Sequence, residues 1–214
     1  MFIDESGFLL IPNVARTWAP RGHTPHVHPL YKHDRLSAIT ALTVSPQRRQ
    51  LGLYLQFQPR AFDGLDVRAF LADLLRHLRG PILLLWDRGS IHRRREVTAF
   101  LRQRPRVQVE YFPGYAPELN PAEFVWTRGD RHLANSAPSN VQELRQMLNR
   151  SYRRMRGSPR LLWACIFASD LPWAPVRRLF LWLYFPLFIQ PSIVLQLWVT
   201  AGERPWSPRT DFNR

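Results

Sequence analysis

The sequence predicts an α/β fold, a mixed sheet flanked by helices and followed by an apolar C-terminal tail. Three observations carry that prediction. Residues 36–44 and 51–57 are short apolar or alternating runs separated by Ser45-Pro46-Gln47, the pattern of an antiparallel strand pair. The hydrophobic period then changes: Phe70, Leu71, Leu74, Leu75 and Leu78 make a helical stripe, and compact apolar runs follow at 82–86 and 107–112. Finally, residues 179–199 form a 21-residue stretch without a charged side chain.

The first element is Phe2-Ile3, a short buried strand delivering Asp4 at its carboxyl end. The antiparallel pair comes next, and the stripe from Phe70 to Leu78 gives the first helix. The run at 82–86 is a buried strand that delivers a second acid, Asp87, and ligands gather at such strand ends in open α/β sheets. Residues 97–101 belong to another helix and 107–112 to a further strand. Asn120-Pro121-Ala122-Glu123 has the grammar of a helix start, with Asn as N-cap, Pro at the first helical position and Glu at the third. Val141, Leu144, Met147 and Leu148 mark an amphipathic helix outside the sheet. A chain of this length buries an adequate core.

Thirty Lys plus Arg against sixteen Asp plus Glu give a net charge of +14, which favours a nucleic-acid partner through salt-dependent attraction to phosphate. Lys32 is the sole lysine, and an Arg-, Pro-, Leu- and Ala-heavy chain also fits a GC-rich coding sequence, so clustering is more informative than the sum. Arg93, Arg94 and Arg95 follow the second acid, Arg102, Arg104 and Arg106 come next, and Arg150, Arg153, Arg154 and Arg156 form a later group. Guanidinium forks match phosphate oxygens, and Arg93, Arg94, Arg95, Arg153 and Arg154 are the expected DNA contacts. The histidines His23, His26, His28 and His33 fit no tetrahedral zinc template, and Cys165 is the only cysteine, which excludes a disulfide framework.

Asp4 in FIDESG, Asp87 in LLLWDRGSIH and Glu123 in FPGYAPELNPAEFVW each sit in a distinctive run. Two strand ends and a helix start can converge, and three hard oxygen ligands at one point suit Mg²⁺ or Mn²⁺. Two such ions about 3.5 to 4 Å apart would hold the attacking and leaving oxygens of a phosphodiester. Each acid also has a structural explanation: Glu123 as a capping-box glutamate, Asp87 as a turn residue, Asp4 as a frayed terminal acid. Glu5, next along the same strand, should point to the opposite face, and Glu118 lies in a Pro-bounded loop before the helix start. His92, five residues past Asp87, is either an orienting group for water or phosphate or an ordinary helix-entry histidine.

The runs DES, WDRGSIH and YAPELNPAEFVW, with TWAPRG at 17–22 and SPRLLWACIFASDLPW at 158–173, resemble the DDE transposases of the mariner-like superfamily, in its bacterial insertion-sequence branch. The resemblance covers roughly residues 1–173. It implies a ribonuclease-H-like fold, a catalytic and metal-binding triad of Asp4, Asp87 and Glu123, and metal-dependent cleavage and strand transfer of DNA with a TA target dinucleotide. The 35 residues between Asp87 and Glu123 are close to the spacing such enzymes use. Arg88 stands where most relatives carry Asn, which leaves the acid in place but changes its neighbour.

Relatives in that family carry an N-terminal helix-turn-helix module. The expectation here is therefore a catalytic domain at 1–173 that lacks it, with its first strand cut short, acting as a homo-oligomer or with a separately encoded N-terminal half. Residues 174–214 form an apolar tail unrelated to the family. The stretch at 179–199 is long enough to span a bilayer, but Pro186, Gln190, Pro191 and Gln196 interrupt a single helix, and translation of adjoining or frame-shifted DNA is the expected origin. No cleavable signal precedes the first strand, so a cytoplasmic location is expected. A catalytically silent fragment that binds DNA nonspecifically or modulates an intact transposase is the alternative function.

Overall fold

The computed structural model describes residues 1–10, 15–23 and 34–173, the side chain of His132 excepted. The chain divides into two units, Met1–Trp173 and Ala174–Arg214. The apolar stretch at 179–199 and three of the four histidines considered for zinc, at 26, 28 and 33, lie outside the described residues. Among the described residues no helix is long and apolar enough to cross a membrane.

The elements run β1 (Phe2–Leu9), β2 (Arg35–Val44), β3 (Leu51–Gln58), α1 (Gly64–His77), β4 (Ile82–Trp86), α2 (Arg95–Arg102), β5 (Val107–Tyr111), α3 (Glu123–Leu133), α4 (Val141–Arg156) and α5 (Pro159–Ile166). They build one five-stranded sheet in the order β3-β2-β1-β4-β5. β1, β2 and β3 form an antiparallel meander, whereas β4 and β5 run parallel to β1. The antiparallel pair and both parallel strands fall within a residue of their expected bounds. β1 is longer than expected, because residues 5–9 continue the pairing with β2 down to Leu9↔Arg35.

Strand alternation sends side chains to two separate cores. Ile3, Ile39 and Ala41 pack with Val67, Phe70, Leu71 and Leu74 of α1 and Val97 and Phe100 of α2. Phe2, Phe8, Leu36, Ala38 and Leu42 face the other way, onto Val125 and Trp126 of α3, Leu144, Leu148 and Tyr152 of α4, and Leu162 of α5. Helix starts are capped locally: Asp63 and Asp66 form a reciprocal capping box at α1, Asn140 accepts from Glu143 N–H at α4, and Ser158 accepts from Leu161 N–H at α5.

α3 approaches α4 closely at Gly129, where an added Cβ would overlap the hydroxyl of Tyr152, a side chain only 2% exposed. Gly129→Ala is therefore expected to destabilise. Overpacking costs about 1–3 kcal/mol, which exceeds the helix-propensity gain of at most about 1 kcal/mol. Urea unfolding should show a lower midpoint at unchanged slope.

Candidate active site

Sheet register brings the first two acids level. β1 and β4 pair in parallel at Phe2↔Leu85, so two residues further along each strand Asp4 stands beside Asp87. β4 ends at Trp86, while β1 continues to Leu9 paired only with β2. Asp4 is thus the third residue of an eight-residue strand, not its carboxyl-terminal residue, and it becomes available because its neighbour strand stops.

α3 supplies the third acid. Asn120 is buried and ties the approach to this helix onto β1: its amide nitrogen donates to Ile3 O at 3.3 Å, and its side-chain oxygen accepts from Ala122 N–H at 3.1 Å. The helix begins at Glu123, two residues later than the Asn-Pro grammar indicates, with Ala122 as the flanking residue. Asn120 caps the preceding turn instead, because its side chain is held between Ala122 and β1.

The three carboxyls sit in different environments. Asp4 is 7% exposed, and the indole N–H of Trp126 donates to its Oδ2 at 2.7 Å. Burial first, then the charges of Glu123 and Glu5, push its pKa well above the usual carboxylate range despite that bond. Glu123 is half-buried, and burial and the charge of Asp87 push it up as well. Asp87 is mostly exposed; the hydrogen bond from His92 outweighs its burial and holds its pKa down, and Gly89 N–H adds a bond of 2.8 Å. Among the described residues no hydrogen bond reaches the Glu123 carboxylate, which leaves the capping-box explanation without its bond. The frayed-acid explanation of Asp4 fails on burial. Asp87 does form its turn, through Gly89.

Sequence reasoning underrated His92. The ring is 1% exposed and stacks on Trp86 at 4.2 Å and 7°. Its Nδ1 lies 2.8 Å from Asp87 Oδ1 and its Nε2 3.0 Å from Glu5 Oε2. Burial alone would lower the imidazole pKa, yet the Asp87 and Glu5 carboxylates overcome it and push it up to about 10. A doubly bonded imidazolium therefore orients Asp87 from behind. Glu5 points to the opposite face from Asp4, as alternation requires, and its partner is this histidine. Glu118 is exposed in the turn Pro117–Leu119. The only sequence signal for the clamp is the five-residue interval between Asp87 and His92, which became interpretable once the 3₁₀ turn Ser90–Arg93 was in place.

Among the described residues no three His, Cys, Asp or Glu side chains close around one point as a metal-ion shell. Asp4 is turned to Trp126, and Asp87 to Gly89 and His92. The donor set nevertheless fits a hard divalent cation: all three acids offer carboxylate oxygens, and positive charge would offset the burial and the mutual repulsion that raise Asp4 and Glu123.

The arginines separate into two groups. Arg93, Arg94 and Arg95 are exposed around the turn after Asp87, and Arg153 and Arg154 are exposed on α4. Three members of the expected clusters instead hold the fold together. Arg104 lies 3.4 Å over the Phe100 ring and donates to Phe100 O, Arg106 donates to the carbonyls of Leu75, Leu78 and Gly80, and Arg156 donates to Leu53 O. Carbonyls at the end of α1 need donors, and Arg106 meets that need.

A central β1 flanked by an antiparallel meander on one side and parallel strands on the other, with helices on both faces, is the ribonuclease-H-like arrangement. Residues 1–145 match the family model described as DDE superfamily endonuclease, and the chain belongs to that family. Among solved structures, the Mos1 transposase paired-end complex with left transposon end is similar at a TM-score of 0.53 and 16% identity, over 78% of this chain and 54% of that one. The Mos1 mariner paired end complex with Mn gives 0.53 and 15%, over 79% and 55%. The Mos1 strand transfer complex gives 0.51 and 15%, over 78% and 53%. The chain spans about half the length of these structures, and at such identities the likeness concerns the fold. No curated protein matches.

Proposed function

We propose that this chain is the catalytic domain of a DNA transposase of the bacterial insertion-sequence branch, cutting and joining DNA strands with two Mg²⁺ or Mn²⁺ ions at Asp4, Asp87 and Glu123. The observation that carries this reading is the placement of the three acids. Sheet register sets Asp4 beside Asp87, Asn120 ties the start of α3 to β1, and Glu123 keeps a half-buried carboxylate with no hydrogen-bond partner among the described residues. A capping or turn role does not require three acids from distant segments to share an electrostatic environment.

DDE endonucleases as a family use divalent ions, which supply charge for the scissile phosphate and acidify the attacking water. The protein's own contribution is orientation. His92 and Gly89 N–H fix the Asp87 carboxylate, Trp126 fixes that of Asp4, and the raised pKa values of Asp4 and Glu123 come down once positive charge is near. Arg93, Arg94, Arg95, Arg153 and Arg154 neutralise DNA backbone. The element's terminal DNA and a target DNA are the partners, the assembly is oligomeric, and the location is cytoplasmic.

Nicking of supercoiled plasmid by the full chain tests the proposal. Relaxation should require Mg²⁺ or Mn²⁺ and stop with chelator. A folded chain that nicks equally well in chelator, or does not nick with either ion, overturns it.

A further inference from the structure

A second basic feature lies away from the three acids. Between α3, α4 and the start of α5 is a cavity of about 220 Å³ lined by Arg128, Arg131, Ser151, Arg154, Met155 and Leu161. Ser151 is 9% exposed, and its hydroxyl has no hydrogen-bond partner, not even the carbonyl one turn back that helical serines commonly use. Arg128 also reaches the neutral thiol of buried Cys165. Among the described residues no carboxylate pairs with any of the three arginines. Three guanidinium groups around one cavity repel each other, and a buried hydroxyl without a partner is unfavourable. An oxyanion in the cavity would relieve both. Its oxygens would accept from the arginine forks and from Ser151, while Met155 and Leu161 form the apolar part of the lining.

The position along α3 indicates which oxyanion. Arg128 and Arg131 follow Glu123 by five and eight residues, about 7 to 12 Å along the helix axis. That is two to four nucleotide steps of a duplex strand at about 3.4 Å each. We propose that this cavity holds a backbone phosphodiester of the DNA substrate, gripped by Arg128, Arg131 and Arg154 with Ser151 Oγ–H donating to a non-bridging oxygen. This inference rests on the transposase reading and gives its DNA an anchor on α3 and α4 beyond the acids.

The test is anisotropy of fluorescein-labelled duplex DNA with the full chain in chelator, across a salt series. Arg128→Gln/Arg131→Gln/Arg154→Gln should bind at least about 30-fold more weakly and flatten the salt slope by about 2 to 3. The control Arg49→Gln/Arg68→Gln/Arg79→Gln removes the same charge from exposed sites and should lose at most a few-fold. Ser151→Ala leaves charge unchanged and should weaken DNA about 3- to 10-fold without lowering the melting temperature, since it deletes an unpartnered hydroxyl. Equal losses in the two triple variants, or wild-type affinity in Ser151→Ala, overturn the proposal. Inorganic phosphate serves as the second probe: stabilisation by phosphate that depends on the three arginines, with DNA affinity indifferent to them, assigns the cavity to a free anion and also overturns it. No DNA binding by the wild-type chain overturns it too. Because chelator removes cleavage from the assay, a chain that binds through this cavity but never nicks refutes only the catalytic reading. One that nicks while its binding ignores the cavity refutes only the anchor.

Discussion

Asp87→Asn is expected to abolish metal-dependent nicking while leaving the fold in place. The substitution removes one negative charge from the proposed metal-binding acids, and losing about 4 kcal/mol of transition-state stabilisation slows the reaction about 10³-fold. Of the structural work around it, that charge carries only a share of the His92 clamp. The Asp87 side chain is 59% exposed, an asparagine oxygen can still accept from Gly89 N–H, and His92 keeps Glu5 at 3.0 Å. The melting temperature should therefore fall by a few degrees at most. Glu123→Gln is the companion variant, because that carboxylate has no hydrogen bond to lose among the described residues; its cleavage should fall as far with the melting temperature unmoved. Far-UV circular dichroism and thermal melts beside the plasmid assay check both halves. Wild-type nicking by a folded Asp87→Asn protein would remove Asp87 from the site.

Much of this arrangement was legible in the sequence, for identifiable reasons. Period-2 and period-3.6 patterns located the sheet pair at 35–44 and 51–58, α1, β4, β5 and α4, because each buries one consistent face or run. Alternation correctly separated Asp4 from Glu5. The length of β1 was hidden: residues 5–9 include Glu5, Ser6 and Gly7, which carry no strand signal, and β2 holds them by backbone pairing. The start of α3 was misplaced because Asn120 bonds to β1, a partner 117 residues away that no local grammar encodes. Arg104, Arg106 and Arg156 were grouped with the basic clusters since a cluster of charges does not reveal which members meet carbonyls or rings. His92 stayed open between an orienting and an ordinary role for the same reason: its meaning depends on Glu5, brought to it by the sheet.

That histidine gives the second large prediction, a loss of stability on the alkaline side. His92 is held as an imidazolium between Asp87 and Glu5, with its pKa pushed up to about 10 from an ordinary 6.5. A folded pKa above the unfolded one means that the folded state binds the extra proton, so the stabilisation is complete below about pH 6.5 and is lost as pH rises through about 10. The slope between those limits is at most about 1.4 kcal/mol per pH unit. Water screens the exposed Asp87 carboxylate, so the whole swing is about 2 to 3 kcal/mol. Urea unfolding in chelator at successive pH values should show His92→Gln starting with the lower midpoint and the gap between the two proteins closing as pH rises across this window. The buried Met1 ammonium, its pKa lowered by burial from 8.0 to about 5, works in the opposite direction at the lower end of the window, but it is common to both proteins and cancels in the difference. The same variant should cleave more slowly at neutral pH, by about 10- to 100-fold as for lost outer-shell partners of metal ligands, because Asp87 keeps its charge but loses the ring that aims it. A gap between the two midpoints that does not change with pH would mean that the imidazole is neutral and that Asp87 is oriented by Gly89 alone.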